Sequence, residues 1–359
     1  MLKKAVVLIL ACVSIASWIN CGKTSSHYVY AALPASSQIA AFREDPNSGV
    51  LTALSGSPFT LGNGPQSIVI HPSGKFLYAV NGAQSDDDVS LFTIAGDGAL
   101  SEVTPRAPVG SVPKIAVIDA SGNFLYVANG GSNNVSVFSI DSGSGALTAV
   151  PGSPFPVGLS PLDMKLNPAG NVLYVTGQPN ILASFSLSSG VLTQLVDRST
   201  SNNEPGNGPN SIAIDPGGTH LYTANTLDNS ISIFTIDASG TFTETSDSPF
   251  GEAIGANPQS LLVDPSGTFL YVANAASSNI AVFTITSGTG SLSVLSTSPF
   301  ASETQPNFLV TDPSGKYLLV GSQSSAGIEA FGIDQSSGSL NSIATYSTGS
   351  TPTSIAVLQ

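Results

Sequence analysis

Short apolar runs alternate with short polar clusters along almost the whole chain. The runs are four to seven residues long, rich in β-branched and aromatic residues, and bounded by Gly, Pro, Asn, Asp and Ser. This pattern is typical of β-strands joined by tight turns. After the first segment of the chain, no stretch of eleven residues has the apolar period of a helix. The pattern therefore predicts an all-β protein.

The strand pattern repeats about every 48 residues. Each unit opens with a proline and an apolar run, and the first run with its turn is Pro65-Gln-Ser-Ile-Val-Ile-His-Pro-Ser-Gly74. The related segments begin at Pro113, Pro161, Pro209, Pro258, Pro306 and Pro352. A run such as Leu-Tyr-Val-Ala-Asn129 follows the turn, then a run such as Val-Ser-Val-Phe-Ser-Ile140, then a Gly-x-Leu segment. Each complete unit therefore predicts four short strands.

Four-stranded units repeated in series are typical of a β-propeller, in which each unit is a blade of antiparallel strands. Six units are complete. Residues 28–53 match only the second, third and fourth strands of a unit, whereas residues 352–358 match only the first. We therefore predict a seven-bladed β-propeller whose last blade takes its first strand from the C-terminus and three strands from the N-terminus. We expect residues 28–359 to form this single domain, as a monomer.

The chain begins with the layout of a secretory signal peptide, because Lys3 and Lys4 precede an apolar run over residues 5–19. A membrane span takes roughly 20 apolar residues, so an uncleaved anchor is the lesser alternative. Cys21 lies where a bacterial lipoprotein carries its lipid, but Trp18 to Asn20 fit that signal poorly, so cleavage without lipidation stays open. We expect a signal peptide over residues 1–21, a tether over 22–27, and export to the periplasm, cell envelope or medium.

The charge of the chain excludes one class of partner. Removal of the two leader lysines leaves eight basic residues against 23 acidic ones, a formal charge of −15. Such a surface repels phosphate backbones and anionic lipid headgroups. We therefore expect no nucleic-acid partner, and membrane contact only through a lipid on Cys21. The second cysteine, Cys12, lies in the leader, so the domain has no disulfide framework.

Most residues of catalytic type occupy positions that the scaffold explains. A His, Asp or Asn precedes the turn in six units, at His71, Asp119, Asn167, Asp215, Asp264 and Asp312. Such side chains before Pro and Gly favour a type I turn. His220 occupies a position that is apolar or aromatic in other units, which indicates a packed ring. An asparagine ends the second strand at Asn81, Asn129, Asn225 and Asn274, where its amide can hold the next loop.

The repeated Leu-Tyr-Val-Ala-Asn and Ile-Ser-Ile-Phe-Thr-Ile runs, with Asp-Pro-Ser-Gly before them, resemble the YVTN-type repeat of the lactonase-like β-propellers. That superfamily includes 6-phosphogluconolactonases and carboxymuconate cyclases. The resemblance covers residues 28–359. It implies a His or Glu acting as acid or base, with arginines that bind an anionic group of the substrate. The predicted mature chain has only Arg43, Arg106 and Arg198, and its histidines fall in a turn, an apolar position and the tether, so this full set cannot be matched.

The residue after each leading proline is polar in six of the seven units. Because the first strand of a propeller blade is innermost, these side chains are expected to surround one mouth of the central channel. The predicted ligand-binding residues are five of these, Gln66, Lys114, Asn210, Gln259 and Asn307, together with Asp163, which lies one residue further along its unit. We call these six residues the polar collar. We expect it to hydrogen-bond a small molecule, a sugar or a protein segment, and a water-filled channel without a ligand is the alternative.

Two further groups are candidate sites. Arg106 and Arg198 share a repeat position that holds serine in four other units, and with Glu204 they are the predicted catalytic or anion-binding residues. Surface ion pairs are the alternative. Three adjacent carboxylates, Asp86, Asp87 and Asp88, lie in a predicted loop and can recruit calcium outside the cell. A solvated acidic loop is the alternative, and no other cofactor is expected.

Two functions stay open from the sequence. The first is an exported binding or scaffold propeller of the cell envelope. The second is an exported hydrolase that acts on an extracytoplasmic lactone. An enzyme requires converging charged groups with shifted pKa values, so the scarcity of such groups favours the first function and leaves catalysis uncertain.

Overall fold

A computed structural model describes residues 27–61, 64–82, 87–199, 206–251 and 255–358, except for the side chains of residues 196–199. The leader with Cys21, the predicted tether up to residue 26, Asp86 and Glu204 lie outside the described residues. Within the described ranges, no helix is long and apolar enough to cross a membrane.

The described residues form 31 β-strands in seven antiparallel sheets, and each sheet is one blade. The closing blade contains β1 (His27–Leu33), β2 (Gln38–Glu44), β3 (Leu51–Ala53), β4 (Phe59–Thr60) and the last strand of the chain. Blade 1 contains β5 (Pro65–Ile70), β6 (Phe76–Asn81), β7 (Asp88–Ile94) and β8 (Leu100–Pro108). Blade 2 contains β9 (Pro113–Ile118), β10 (Phe124–Asn129), β11 (Asn134–Ile140), β12 (Leu147–Ala149) and β13 (Phe155–Pro156). Blade 3 contains β14 (Ser160–Leu166), β15 (Val172–Gln178), β16 (Ile181–Ser188) and β17 (Val191–Ser199). Blade 4 contains β18 (Pro209–Ile214), β19 (His220–Asn225), β20 (Ser230–Ile236) and β21 (Phe242–Glu244). Blade 5 contains β22 (Pro258–Val263), β23 (Phe269–Asn274), β24 (Asn279–Ile285), β25 (Leu292–Val294) and β26 (Phe300–Ala301). Blade 6 contains β27 (Pro306–Thr311), β28 (Tyr317–Ser322), β29 (Gly327–Ile333) and β30 (Leu340–Ser347). The last strand is β31 (Ser354–Leu358).

The strands of each blade follow one another from the channel outward, as in the order β5-β6-β7-β8 of blade 1. The innermost strands of adjacent blades are neighbours all around the ring, including β27 with β31 and β31 with β5. The predicted seven-bladed β-propeller is confirmed. Because adjacent sheets pack face to face, both faces of the inner strands are covered, which explains the nearly continuous apolar runs of the sequence.

The two ends of the chain meet in the closing blade. Strand β31 pairs antiparallel with β1, with Tyr28 opposite Leu358 and Ala32 opposite Ser354. This confirms the predicted closure. Strand β1 begins at His27, one residue inside the predicted tether, because His27 pairs with Glu44 across the β1–β2 hairpin and is buried.

Buried tyrosines link one blade to the next. The hydroxyl of the tyrosine in the second strand donates to the carbonyl of the glycine in the Gly-x-Leu segment of the following blade. These tyrosine–glycine bridges are Tyr30 to Gly98 at 2.8 Å, Tyr78 to Gly145 at 2.7 Å, Tyr174 to Gly240 at 3.0 Å, Tyr222 to Gly290 at 2.9 Å and Tyr271 to Gly338 at 3.1 Å. Two landmarks of the repeat are thus partners across the blade joints.

The repeated polar residues have the structural positions that the sequence predicts. In the turn before β23, Asp264 Oδ1 accepts from the Phe269 N–H at 2.7 Å, and its carbonyl accepts from the Gly267 N–H at 2.9 Å. His220 is buried, with its ring in the aromatic position of the repeat. Asn81 is fully buried and donates to Asp88 and Ser90 across the next hairpin.

Candidate functional site

The central channel has a volume of about 680 Å³ and is lined by the innermost strand of every blade. All six residues of the polar collar line it, namely Gln66, Lys114, Asp163, Asn210, Gln259 and Asn307. Five of them are the second residue of their strand, whereas Asp163 is the fourth residue of β14. The structure therefore brings the five together at one end of the channel, with Asp163 further along β14. Their role in ligand binding stays a prediction.

The amides of the collar hold one another in place. Asn210 Nδ2 donates to Gln259 Oε1 at 3.0 Å, and Gln259 Nε2 donates to Asn257 Oδ1. Asn307 Nδ2 donates to the Pro352 carbonyl at 3.4 Å, whereas its Oδ1 accepts no hydrogen bond within the described residues. Because an amide has two donor hydrogens and an acceptor oxygen, these half-buried side chains keep hydrogen-bonding capacity for a ligand.

Asp163 differs from the other collar residues because its carboxylate is buried and bonded to the backbone. Its Oδ2 accepts from the Ile212 N–H at 2.8 Å, and its Oδ1 accepts from the Met164 N–H at 2.8 Å. Serines make the first of these bonds in four other blades, at Ser67, Ser211, Ser260 and Ser354. In blade 2 this position holds Ile115, whose side chain cannot accept a hydrogen bond from the Met164 N–H. Asp163 accepts that hydrogen bond in addition to the one from Ile212. Burial raises the pKa of Asp163, while nearby Lys165 opposes the rise.

Two lysines line the channel. Lys114 is exposed at the collar, and Lys165 is half-buried further along the wall. Asp215 lies toward the opposite end, where it accepts from the Thr219 and His220 N–H groups at 2.7 and 2.9 Å. Burial favours a higher pKa for Asp215, but these hydrogen bonds hold the pKa below its ordinary value. Among the described lining residues, the charged groups that can turn to a ligand are therefore the lysines.

The channel wall beyond the collar is largely apolar. It includes Val69, Val117, Leu262 and Val310. An apolar wall below a few convergent polar groups is the usual composition of a small-molecule site.

The sequence matches the family described as "Lactonase, 7-bladed beta-propeller" over residues 53–158 and 164–357. The chain belongs to this lactonase family. No curated protein matches it.

Solved structures show the same fold as this lactonase-family chain. A putative 6-phosphogluconolactonase from Bacteroides uniformis is 18% identical with a TM-score of 0.80, and the alignment covers 93% of this chain and 100% of that one. A putative 6-phosphogluconolactonase from Bacteroides fragilis is 21% identical with a TM-score of 0.80, covering 94% and 99%. The periplasmic gluconolactonase of Pseudomonas aeruginosa is 17% identical with a TM-score of 0.76, covering 93% and 99%. At these identities the likeness establishes the fold.

The predicted arginines of this lactonase-family propeller lie on outer strands. Arg106 in β8 donates from Nε to Glu102 Oε1 at 2.7 Å, and its Nη1 lies 3.8 Å from Asp88 Oδ2. Arg198 lies in β17 opposite Leu182. The residues that line the channel do not include Arg106. A catalytic role for Arg106, Arg198 and Glu204 stays a prediction.

The position that Arg106 and Arg198 share has a structural function in other blades. A serine hydroxyl there accepts a hydrogen bond from a backbone N–H of the third strand. The pairs are Ala41 N–H to Ser57, Val137 N–H to Ser153, Ile233 N–H to Ser248 and Val282 N–H to Ser298. In blades 1 and 3, where arginine replaces serine, the outer strand instead continues for nine residues.

The acidic loop of blade 1 is bonded to the protein. Asp87 Oδ1 accepts from the Val112 N–H at 3.2 Å, and Asp88 Oδ1 accepts from Asn81 Nδ2 at 2.7 Å. Calcium binding at this loop, together with Asp86, stays a prediction.

A buried group of His27, Glu44 and Asp312 was not predicted from the sequence. His27 Nδ1 lies 3.4 Å from Glu44 Oε2 and 3.9 Å from Asp312 Oδ2, and all three residues are buried. A signal for it does exist in the repeat. Alignment of Phe42 with Phe92 places Glu44 where blade 1 has Ile94, so a carboxyl group replaces an apolar side chain.

Proposed function

We propose that the chain is an exported, cell-envelope propeller that binds a small polyhydroxylated molecule, such as a sugar or a sugar acid, at the polar collar. The observation that carries this proposal is the collar itself, in which half-buried amides and Lys114 surround one end of a channel whose wall also contains many apolar residues. Amides can bind hydroxyl groups, and an ammonium group favours an anionic substituent.

Binding is a better match than hydrolysis for the groups at the channel. Lactone hydrolysis requires a base that can reach the attacking water. Among the described lining residues, the carboxylates are Asp163 and Asp215, and backbone N–H groups already hold both of them. The described lining residues include no histidine.

Lactone hydrolysis is the second candidate, and family membership favours it. Two of the similar structures are putative 6-phosphogluconolactonases and one is a periplasmic gluconolactonase. In this alternative, Lys114 and Lys165 would bind an anionic group of the lactone.

Calorimetric titration and a hydrolysis assay separate the two candidates. The protein is titrated with glucose and gluconate, and turnover of glucono-δ-lactone and its 6-phosphate is followed with a pH indicator. We expect binding without turnover, and Asn210→Ala should weaken binding about five- to tenfold because it removes roughly 1 kcal/mol of hydrogen bonding. The control is Asn341→Ala, on the exposed face of outer strand β30. If the wild type hydrolyses one of the lactones and Lys114→Ala abolishes that turnover, the function is catalysis rather than binding alone.

Export is part of the proposal and has its own measurement. The leader supports export. The structurally similar gluconolactonase of P. aeruginosa is periplasmic, which supports export as well. Mass spectrometry of the mature protein should give an N-terminus near Cys21, with or without a lipid. An intact Met1 in the cytoplasmic fraction would contradict export.

A further inference from the structure

The group of His27, Glu44 and Asp312 lies at the joint between blade 6 and the closing blade. His27 is the first residue of β1, Glu44 is the last residue of β2, and Asp312 follows β27 of blade 6. One potential ligand atom from each residue lies within 4.8 Å of the other two. The group thus combines an imidazole nitrogen with two carboxylates from opposite ends of the chain.

Glu44 is the exception in a repeated apolar position. The residues at this position in blades 1 to 6 are Ile94, Ile140, Leu187, Ile236, Ile285 and Ile333. The side chain of Glu44 is 0% exposed, and neither of its oxygens accepts a hydrogen bond from a described residue. A buried carboxyl group without a hydrogen bond destabilises a fold, so the scaffold alone gives no reason for glutamate here.

The other two residues are suited to ligand a cation. His27 Nδ1 has no hydrogen-bond partner within the described residues. Asp312 is oriented by the Tyr317 N–H, which donates to Oδ1 at 2.8 Å, and by the Ser314 N–H, which donates to Oδ2 at 3.0 Å. Hydrogen bonds of this kind to a ligating carboxylate are common around metal ions.

We propose that His27, Glu44 and Asp312 bind one divalent transition-metal cation, with zinc as the best match. Ligand atoms about 2.1 Å from a tetrahedral zinc ion lie roughly 3.4 Å apart. The 3.4 and 3.9 Å separations from His27 Nδ1 are close to that geometry. Two carboxylates and a neutral imidazole also balance the charge of the ion, and a bound water would complete the tetrahedron.

The location indicates what the ion does. Blade 6 has Leu319 where the other blades have a tyrosine, so this joint lacks a tyrosine–glycine bridge to Gly49 of the closing blade. The ion would connect blade 6 with both strands of the first hairpin at this joint. Because it would bind only when the two ends of the chain have come together, its binding stabilises the closed ring.

Zinc titration of the chelator-treated full chain tests the proposal. We expect one equivalent of zinc to bind and the melting temperature to rise by several degrees. Glu44→Ile, which introduces the residue of the other blades, should lower zinc affinity at least 100-fold. The matched control is His220→Phe, because His220 is a buried histidine 3.4 Å from Asp215 without a second carboxylate. This variant should bind zinc like the wild type.

X-ray absorption of the zinc-loaded wild type does not depend on any variant. We expect a first shell of one imidazole nitrogen and oxygen atoms. Sulfur in that shell would assign the zinc to a cysteine and overturn the proposal. Absence of stoichiometric binding at about 1 mM zinc, or wild-type affinity in a folded Glu44→Ile, would overturn it as well.

Discussion

The residues that depart from the repeat have the most specific roles in this molecule. Asp163 replaces a serine and, as a result, accepts backbone N–H groups from two strands rather than one. Glu44 replaces an isoleucine or leucine and places in a blade joint a buried carboxyl group that accepts no hydrogen bond from a described residue. Leu319 replaces a tyrosine and removes an interblade hydrogen bond at that same joint. Comparison of repeats within one chain therefore separates scaffold residues from candidates for function.

Glu44 should give the metal-free protein a distinct pH dependence. Burial, and then nearby Asp312, raises the pKa of Glu44 from 4.5 to about 8. Between these values the folded state holds a proton that the unfolded state releases, so the contribution of Glu44 to stability falls as the pH rises. We expect the free energy of unfolding of the wild type, relative to Glu44→Ile, to decrease from about pH 4.5 to about pH 8 and then to level off.

Urea unfolding of both chelator-treated proteins across that pH range measures the difference. His27, Asp312, Tyr317 and Asp45 are the titratable groups near Glu44, and both proteins contain them. A difference in stability that stays constant with pH would contradict the raised pKa. Zinc should reduce the pH dependence if it binds there, because the ion holds the carboxylate in its ionised form.

The sequence predicts the collar but not the buried group, and the reason is positional. Collar residues such as Gln66 and Asn210 occupy nearly the same position in successive repeats, so counting along the repeat places them on one ring. His27, Glu44 and Asp312 occupy three different positions of the repeat in two blades. They meet only when the ring closes, and His27 appears from the sequence to belong to a tether. The sequence therefore predicts the radial order well and contacts across a joint poorly.

Tyrosine–glycine bridges connect one blade with the next at five joints. Gly145 has a φ of +74° and a Cβ there would lie 2.7 Å from the Phe76 ring, so both its backbone conformation and its neighbour require glycine. The hydroxyl of Tyr78 then reaches the Gly145 carbonyl in a buried setting. The Gly-x-Leu segment is thus shaped to receive the aromatic residues of the preceding blade.

Tyr78→Phe should destabilise the protein by about 1–2 kcal/mol, because it leaves a buried carbonyl without its donor. The matched control is Tyr28→Phe, since the Tyr28 hydroxyl donates to the Gly96 carbonyl at 3.0 Å at the surface, where water can replace it. We expect the control to cost less than about 0.5 kcal/mol. Chemical denaturation of the two variants provides the measurement. Equal losses in the free energy of unfolding would show that the buried bridge stabilises the protein no more than the exposed hydrogen bond does.

The two ends of the chain close the ring of the whole molecule. Strand β31 fills the channel side of the closing blade, and Ile355 is buried between its neighbours. The Ser354 hydroxyl accepts from the Ile68 N–H of blade 1 at 3.2 Å. On the other side, β31 adjoins β27 of blade 6. This one short strand therefore contributes to both joints of the closing blade.

Deletion of residues 352–359 should abolish cooperative unfolding. The closing blade would lose its innermost strand, the edge of β1 would be exposed, and neither adjacent blade would keep its contact with β31. The control is deletion of residue 359 alone, because β31 ends at Leu358 and keeps its pairing with β1. Calorimetry should give a single sharp transition for the control and a broad or absent one for the longer deletion. If both proteins melt with the same enthalpy and sharpness, six blades and three outer strands are enough to hold the ring, and closure by β31 is not what makes the fold cooperative.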